Sequence, residues 1–223
     1  MLVGILKVGL PTAIQMVVVN ISYLMITGML NHFGVAVAAA SGVGLKVNTF
    51  AGMPCWAIGQ AVTAMAGQNM GANHIERVKK TTEIGLYFNI MITLIVILFV
   101  QIFARQVIML FNPVNQEVIE DGILYLRICF GINSLIYAVM YTFDSFAIGI
   151  GSANVAMINA LLDAVIVRLS VSWLLAFIVN IGSSGVYIGQ AVSPLLPAIV
   201  GLFYFKSRVW ESKRLINHSE NEK

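Results

Sequence analysis

The sequence has 223 residues, of which 59% are hydrophobic and only 10% are charged, and its formal net charge is +3. Soluble globular domains average about 45–50% apolar and about 25% charged residues, so this composition excludes a soluble domain. The few cysteines and histidines are scattered along the chain, which disfavours a disulfide framework, a metal site or a catalytic cluster. We therefore predict an all-α polytopic membrane protein that is not an enzyme, needs no cofactor and binds no nucleic acid.

Six apolar stretches are long enough to cross a lipid bilayer, since about 20 helical residues span a hydrocarbon core of about 30 Å. Lipid offers no partner to backbone N–H and C=O groups, so each stretch should be helical. We expect one six-helix lobe over residues 1–210 and a polar cytoplasmic tail over 211–223, with a short interfacial helix at 112–121 leading into span four. The predicted spans, numbered one to six, cover about residues 9–30, 36–66, 84–104, 122–148, 155–178 and 186–205.

Basic residues gather on one side of the predicted membrane topology. Six spans place both termini on the same side, together with Arg77, Lys79 and Lys80 after span two and Lys206 after span six. Loops rich in lysine and arginine are retained in the cytoplasm. The pattern predicts a multi-pass protein of the inner (plasma) membrane with both termini cytoplasmic.

Spans one and two each contain polar residues that are costly in lipid. Asn20 in span one either bonds a neighbouring helix or lines a cavity. Lys46 and Gln60 share one face of span two and are candidates for a substrate cavity. Gly52 and Pro54 lie between them, and because proline removes a backbone donor, the helix should kink there. The kink is either a hinge or is tolerated because neighbouring helices cover the freed carbonyl.

Span four carries a polar stripe. Asn133, Tyr137, Tyr141 and Asp144 recur at intervals of four, four and three residues, which places them within an arc of roughly 80° on one helix face. One interpretation is a substrate-cavity wall in which Asp144 is the protonatable or cation-binding carboxylate. The other is a hydrogen-bonded seam between helices, with Asp144 in a structural pair.

Span five contains two opposite charges, Asp163 and Arg168. Five residues apart in an α-helix they point in nearly opposite directions, so we expect each to find its partner on another span. Asp144 could pair with Arg168 or with Lys46. A structural ion pair that orients the helices is the simplest interpretation for Asp163 and Arg168.

Several motifs along the chain resemble those of one family, the multidrug and toxic compound extrusion (MATE) transporters. "AGMPCWAIGQAVTAMAGQNMGANHIERVKK" has the mid-helix Pro54 and the G-Q-x-x-G-A ending of the family, and "GSSGVYIGQAVSPLLPAIVGLFYFKSRVW" resembles its final helix. Gly9-Leu10-Pro11 resembles the opening of the seventh family helix, and Arg168 falls at a basic position. The match covers nearly the whole chain but only the C-terminal half of such a transporter.

The resemblance implies antiport, in which a lipophilic, often cationic compound is exported as H⁺ or Na⁺ enters. It also implies a second six-helix lobe, supplied by an N-terminal half or by another copy of this chain. Two acids of some members align with Val19 and Tyr137 here. Asp144 lies two turns beyond Tyr137 on the same face, so it is the best substitute for coupling the cation.

Two other functions remain compatible with the sequence. The wider superfamily, that of the MOP flippases, includes transporters of lipid-linked oligosaccharides, which would need a strongly cationic central cavity. A truncated, non-transporting membrane module would need no cavity chemistry. Coupled efflux of a lipophilic cation distinguishes the leading hypothesis from both.

Overall fold

The six spans are helical, and some of them pass close to one another through small residues. A computed structural model describes residues 2–212, without the side chains of residues 2–4 and 7. The predicted tail therefore lies outside the described residues from position 213 onward. Within the described part of the chain, all regular secondary structure is helical. Six helices in this part are long and apolar enough to cross a membrane, and the predicted all-α polytopic fold is confirmed.

Each span contains one or more helical segments. The first three spans are single helices, Leu2–Asn31, Val35–Gly71 and Ile75–Ile102, and a short helix follows at Ala104–Met109. Span four joins Gln116–Tyr125, the π-helical turn Leu126–Phe130 and Gly131–Gly149. Span five joins Ala153–Leu161, the π-helix Leu162–Leu169, Ser170–Trp173 and the π-turn Leu174–Ile178. Span six consists of Ser183–Val192 and Leu195–Ser207, and a 3₁₀ turn follows at Val209–Ser212.

The start of span four differs from the sequence prediction. The Asn115 side chain accepts hydrogen bonds from the backbone N–H groups of Glu117 and Val118, at 3.0 and 3.3 Å, and so caps a helix that begins at Gln116. No separate interfacial helix forms over 112–121. Once capped, the helix continues through the π-helical turn Leu126–Phe130 into the rest of the span.

Spans five and six approach each other through two glycines of span six. A Cβ atom placed on Gly185 would lie 2.7 Å from the backbone N of Ala176, and one on Gly189 would lie 2.6 Å from the backbone N of Ser172. Real Cβ atoms do not approach backbone atoms so closely, so these positions require glycine. Small residues at helix interfaces allow this close packing in membranes.

Replacing Gly189 with alanine should therefore destabilise the lobe. We expect a loss of about 1–3 kcal/mol, because the added methyl group overpacks an interface whose nearest atoms include backbone. A lower apparent melting temperature of the purified protein in detergent would show it. Gly28→Ala is the matched control, since a Cβ there meets nothing within 4 Å. Equal melting temperatures for the two variants would contradict the prediction.

The 3₁₀ turn after span six packs back onto the lobe. Trp210 is fully buried, and its ring lies 4.9 Å from that of Phe146 in an edge-to-face arrangement. Its indole N–H donates to the carbonyl oxygen of Phe205 at 2.9 Å. Next to it, the Lys79 ammonium lies 2.9 Å from the carboxylate of Glu211. The turn thus ties the end of span six to the start of span three and the end of span four.

Candidate functional site

A large cavity opens between the first five spans and is the candidate site. Its volume is about 850 Å³, within the roughly 300–1,000 Å³ typical of small-molecule pockets. The wall includes aromatic and methionine side chains, namely Met16, Tyr23, Trp56, Phe130, Tyr137, Met140 and Tyr141. It also includes two carboxylates and one cation, Asp144, Asp163 and Arg168.

The polar stripe of span four lies along this wall. Asn133, Tyr137, Tyr141 and Asp144 all line the cavity, as their helical spacing predicts. The rings of Tyr137 and Tyr141 stack with centroids 5.7 Å apart and planes 13° apart. The side-chain amide of Asn133 donates to the carbonyl oxygen of Gln190 in span six at 2.6 Å. Their role in binding substrate stays a prediction.

Asp144 is the buried carboxylate of this stripe, with a relative exposure of only 1%. The Asn159 side-chain N–H group donates to Asp144 Oδ1 at 2.6 Å. Asp144 Oδ2 has no hydrogen-bond partner among the described residues. Asp144 does not pair with Arg168 or Lys46 as expected. The neutral side-chain amide of Asn159 in span five bonds it instead.

Asp163 and Arg168 pair with each other, which corrects the expectation that each would bind another span. Arg168 Nη2 lies 2.5 Å from Asp163 Oδ2, and both side chains are buried. In an α-helix, residues five apart are rotated by about 140°. Here both residues lie in the π-helix Leu162–Leu169, whose backbone hydrogen bonds join residues five apart and bring the two side chains together.

Arg168 is held by further contacts from spans one and six. Its guanidinium lies 4.5 Å from the centre of the Tyr23 ring, a cation–π geometry. Arg168 Nε lies 3.4 Å from the hydroxyl oxygen of Ser193. Tyr23 and Asn159 were not predicted as site residues from the sequence. A signal for Asn159 was present, since it precedes Asp163 by four residues and therefore shares its helix face.

Some of the candidate site residues predicted in spans one and two line the cavity, and others do not. Asn20, Gly52 and Gln60 line the cavity, and the Asn20 side-chain amide donates to the Met16 carbonyl of its own helix at 2.7 Å. Span two runs through Pro54 as one helix, and the hinge stays a prediction.

Lys46 is exposed and does not line the cavity, which corrects its assignment to the cavity wall. The cavity face of span two follows Leu45, Thr49, Gly52 and Trp56. Residue 46 is rotated by about 100° from residue 45 and so falls beside this face.

The chain matches the model of a known protein family. The family model described as MatE matches residues 11–174. The chain belongs to the MatE family. This is a family of transporters and not of enzymes, and together with the six apolar helices it makes the chain a multi-pass membrane protein. The predicted resemblance to MATE transporters is confirmed.

Curated relatives are multidrug resistance proteins of about twice the length. The chain is 29% identical over 225 residues to the probable multidrug resistance protein YoeA of Bacillus subtilis, covering 96% of this chain and 46% of that protein. It is 25% identical to the probable multidrug resistance protein NorM of Thermotoga maritima, covering 95% and 45%. The chain therefore spans about half the length of the curated relatives it matches.

Solved MATE structures share the fold. A crystal structure of MATE in complex with MaL6 superimposes with a TM-score of 0.87 at 21% identity, covering 92% of this chain and 46% of that chain. The MATE transporter ClbM in complex with Rb⁺ superimposes with a TM-score of 0.86 at 19% identity, covering 93% and 49%. At these identities the likeness establishes the fold.

Proposed function

We propose that the chain is one lobe of a secondary transporter that exports lipophilic or cationic compounds in exchange for H⁺ or Na⁺. The observation that carries this proposal is Asp144, a buried carboxylate on the wall of the 850 Å³ cavity, one oxygen of which has no hydrogen-bond partner within the described part of the chain. An ionisable group at this depth is costly unless it binds a cation or a proton, so its presence favours a role in coupling. The family supports transport, and its curated relatives support drugs as the substrates.

The cavity wall suits a lipophilic cation. The faces of Trp56, Tyr137 and Tyr141 attract cations through the ring quadrupole, and Met16 and Met140 adapt to irregular apolar shapes. Arg168 is the one lysine or arginine on the described wall, and Asp163 neutralises it. This balance disfavours a flippase for lipid-linked oligosaccharides, which would need a cationic cavity.

A second lobe would complete the cavity. The cavity wall carries polar and ionisable groups, for which lipid at the open side of the cavity would be unfavourable. The chain is about half as long as its curated relatives, and lobes related by pseudo-symmetry can enclose a central site between them. We propose that a separate N-terminal half or a second copy of this chain supplies the partner lobe. Basic residues near the span ends support an inner-membrane location with cytoplasmic termini.

Efflux from vesicles tests the proposal. The chain is purified together with any second copy or partner lobe that stays bound to it, and is reconstituted into liposomes. Ethidium efflux is then followed under an imposed pH or Na⁺ gradient. Asp144→Asn keeps the shape of the side chain and removes its charge, so we expect gradient-driven efflux to fall to the background of empty liposomes. Glu117→Gln is the matched control, because this carboxylate is exposed at the start of the same span.

Two outcomes would contradict the proposal. Gradient-driven efflux that is unchanged in Asp144→Asn would remove the assigned role of this carboxylate. No efflux from any reconstituted form of the chain, alone or with a partner lobe, would favour a non-transporting membrane module.

A further inference from the structure

The middle of span five is π-helical over eight residues, Leu162–Leu169. Under about 1% of residues in proteins adopt this conformation, mostly as single turns at functional sites, so a segment of this length needs contacts that favour it. A π-helix pairs backbone groups five residues apart and an α-helix pairs groups four apart. The two forms therefore differ by a shift of one residue in register, which corresponds to about 100° of rotation and about 1.5 Å of rise in α-helical geometry.

Two contacts hold this segment in the π register. The ion pair between Arg168 and Asp163 joins side chains five residues apart, which an α-helix would rotate by about 140° from each other. The Ser22 hydroxyl of span one donates to the carbonyl oxygen of Ala164 at 3.2 Å, and both residues are buried. Backbone groups that an irregular helix releases inside a membrane need partners of this kind on neighbouring helices.

The two parts of span five on either side of this segment contact different neighbours. In the C-terminal part, the Ser172 hydroxyl donates to the carbonyl oxygen of Val186 in span six at 3.2 Å, and the Ser172 backbone packs directly on Gly189. In the N-terminal part, Asn159 donates to Asp144 of span four at 2.6 Å. Because close packing on span six restrains the C-terminal part, a change of register rotates the N-terminal part and moves Asn159 away from Asp144.

We propose that span five switches between this π register and an α-helical register during transport, and that Ser22 and Arg168 are positioning residues that hold the π register. The inference rests on the proposed function, because it identifies a two-state element of the transporter. Helix register shifts take place in microseconds to milliseconds, fast enough for a transport cycle. Asp163 and Arg168 line the cavity, so a charged compound that enters the cavity competes for their ion pair. Without that pair the α-helix is favoured, since it satisfies the backbone of the span within one helix.

Deleting one residue tests the register. Removal of Ile166, which is 55% exposed, places Arg168 four residues after Asp163, a spacing that an α-helix brings together. Both parts of the span then keep their present orientation without a π-helix, so the melting temperature should stay within about 4 °C of wild type. The matched control removes Ile158, which is 50% exposed in the α-helix Ala153–Leu161. That deletion rotates one part of the span against the other, so the melting temperature should fall by about 10 °C or more.

Ethidium binding and efflux test whether the switch is needed for transport. The protein without Ile166 lacks the extra residue that a π-helix accommodates, so it cannot change register. We expect it to bind ethidium in detergent as the wild type does, and to show efflux at the background of empty liposomes. Ile166→Ala keeps the length of the span and should export ethidium at the wild-type rate.

Distances between spin labels supply a readout that does not depend on transport. One label is placed at Asn154, which is exposed near the start of span five, and the other at Tyr87, which is exposed on span three. The buried Cys55 and Cys129 are first replaced by alanine so that only the two introduced cysteines are labelled. The wild type should show two distances whose proportions change when ethidium is added, and the protein without Ile166 should show one. Ser22→Ala should shift the proportions by about fivefold toward the α register, as expected for the loss of one hydrogen bond.

The outcomes distinguish the switch from the transport function. A deletion of Ile166 that destabilises the protein as much as the deletion of Ile158 overturns the assigned register. Wild-type efflux without Ile166, or one unchanged distance in both the wild type and Ser22→Ala, overturns the switch. Two label distances in a wild type that shows no efflux keep the switch and remove the proposed function.

Discussion

Replacing Arg168 with glutamine is expected to lower the free energy of unfolding by about 3–5 kcal/mol, the cost of leaving a buried carboxylate without its ion partner. Arg168 is 3% exposed and holds Asp163 at 2.5 Å, while the Tyr23 ring and Ser193 fix its orientation. The substitution removes the positive charge and keeps much of the side-chain volume. Thermal unfolding in detergent, followed by tryptophan fluorescence, measures the effect.

A double variant provides the decisive comparison. In Arg168→Gln combined with Asp163→Asn no uncompensated charge remains at this pair, so a large part of the lost stability should return. Arg127→Gln is the matched control, since Arg127 is exposed on span four and should change stability by less than about 0.5 kcal/mol. If Arg168→Gln unfolds at the same temperature as the control, the ion pair does not stabilise the lobe.

Replacing Trp210 with alanine should cost about 3–5 kcal/mol, the range for deleting a large aromatic side chain from a core. Trp210 is fully buried among residues from spans two, three and four and contacts Phe146 edge to face. The change also removes the indole donor from the Phe205 carbonyl. We expect an earlier thermal transition and faster proteolysis at the end of span six.

The exposed neighbour of Trp210 serves as the control. Val209 is 65% exposed in the same 3₁₀ turn, so Val209→Ala should leave both the melting temperature and the proteolysis rate close to wild type. Matching behaviour of the two variants would show that the turn does not hold the lobe together.

Apolar length and helical periodicity made the spans and the polar stripe predictable. Lipid requires every backbone group in a span to bond within its own helix, so the number and order of the spans follow from local sequence. The observed helices begin earlier at span three, at Ile75, and continue later at span two, to Gly71, because polar end residues remain helical beyond the apolar stretch. The spacing of Asn133, Tyr137, Tyr141 and Asp144 also required only the geometry of one helix.

Helical periodicity could not predict which partners the charged residues inside the spans would have. Asp163 and Arg168 meet because span five is locally π-helical, and α-helical periodicity placed them apart. Helical periodicity places Lys46 and Gln60 on the same face of span two, yet only Gln60 lines the cavity. The packing of the neighbouring spans determines which side of span two faces the cavity.

An all-α membrane lobe of six spans, its family and one polar face of span four could all be predicted without a structure, because each depends on residues close together along the chain. Two contacts became visible only in the folded lobe, the hydrogen bond from Asn159 to Asp144 and the ion pair between Arg168 and Asp163. These arrangements depend on the rotation and depth at which neighbouring helices pack. Helix rotation and depth are set by contacts between spans far apart in sequence, which no local pattern records.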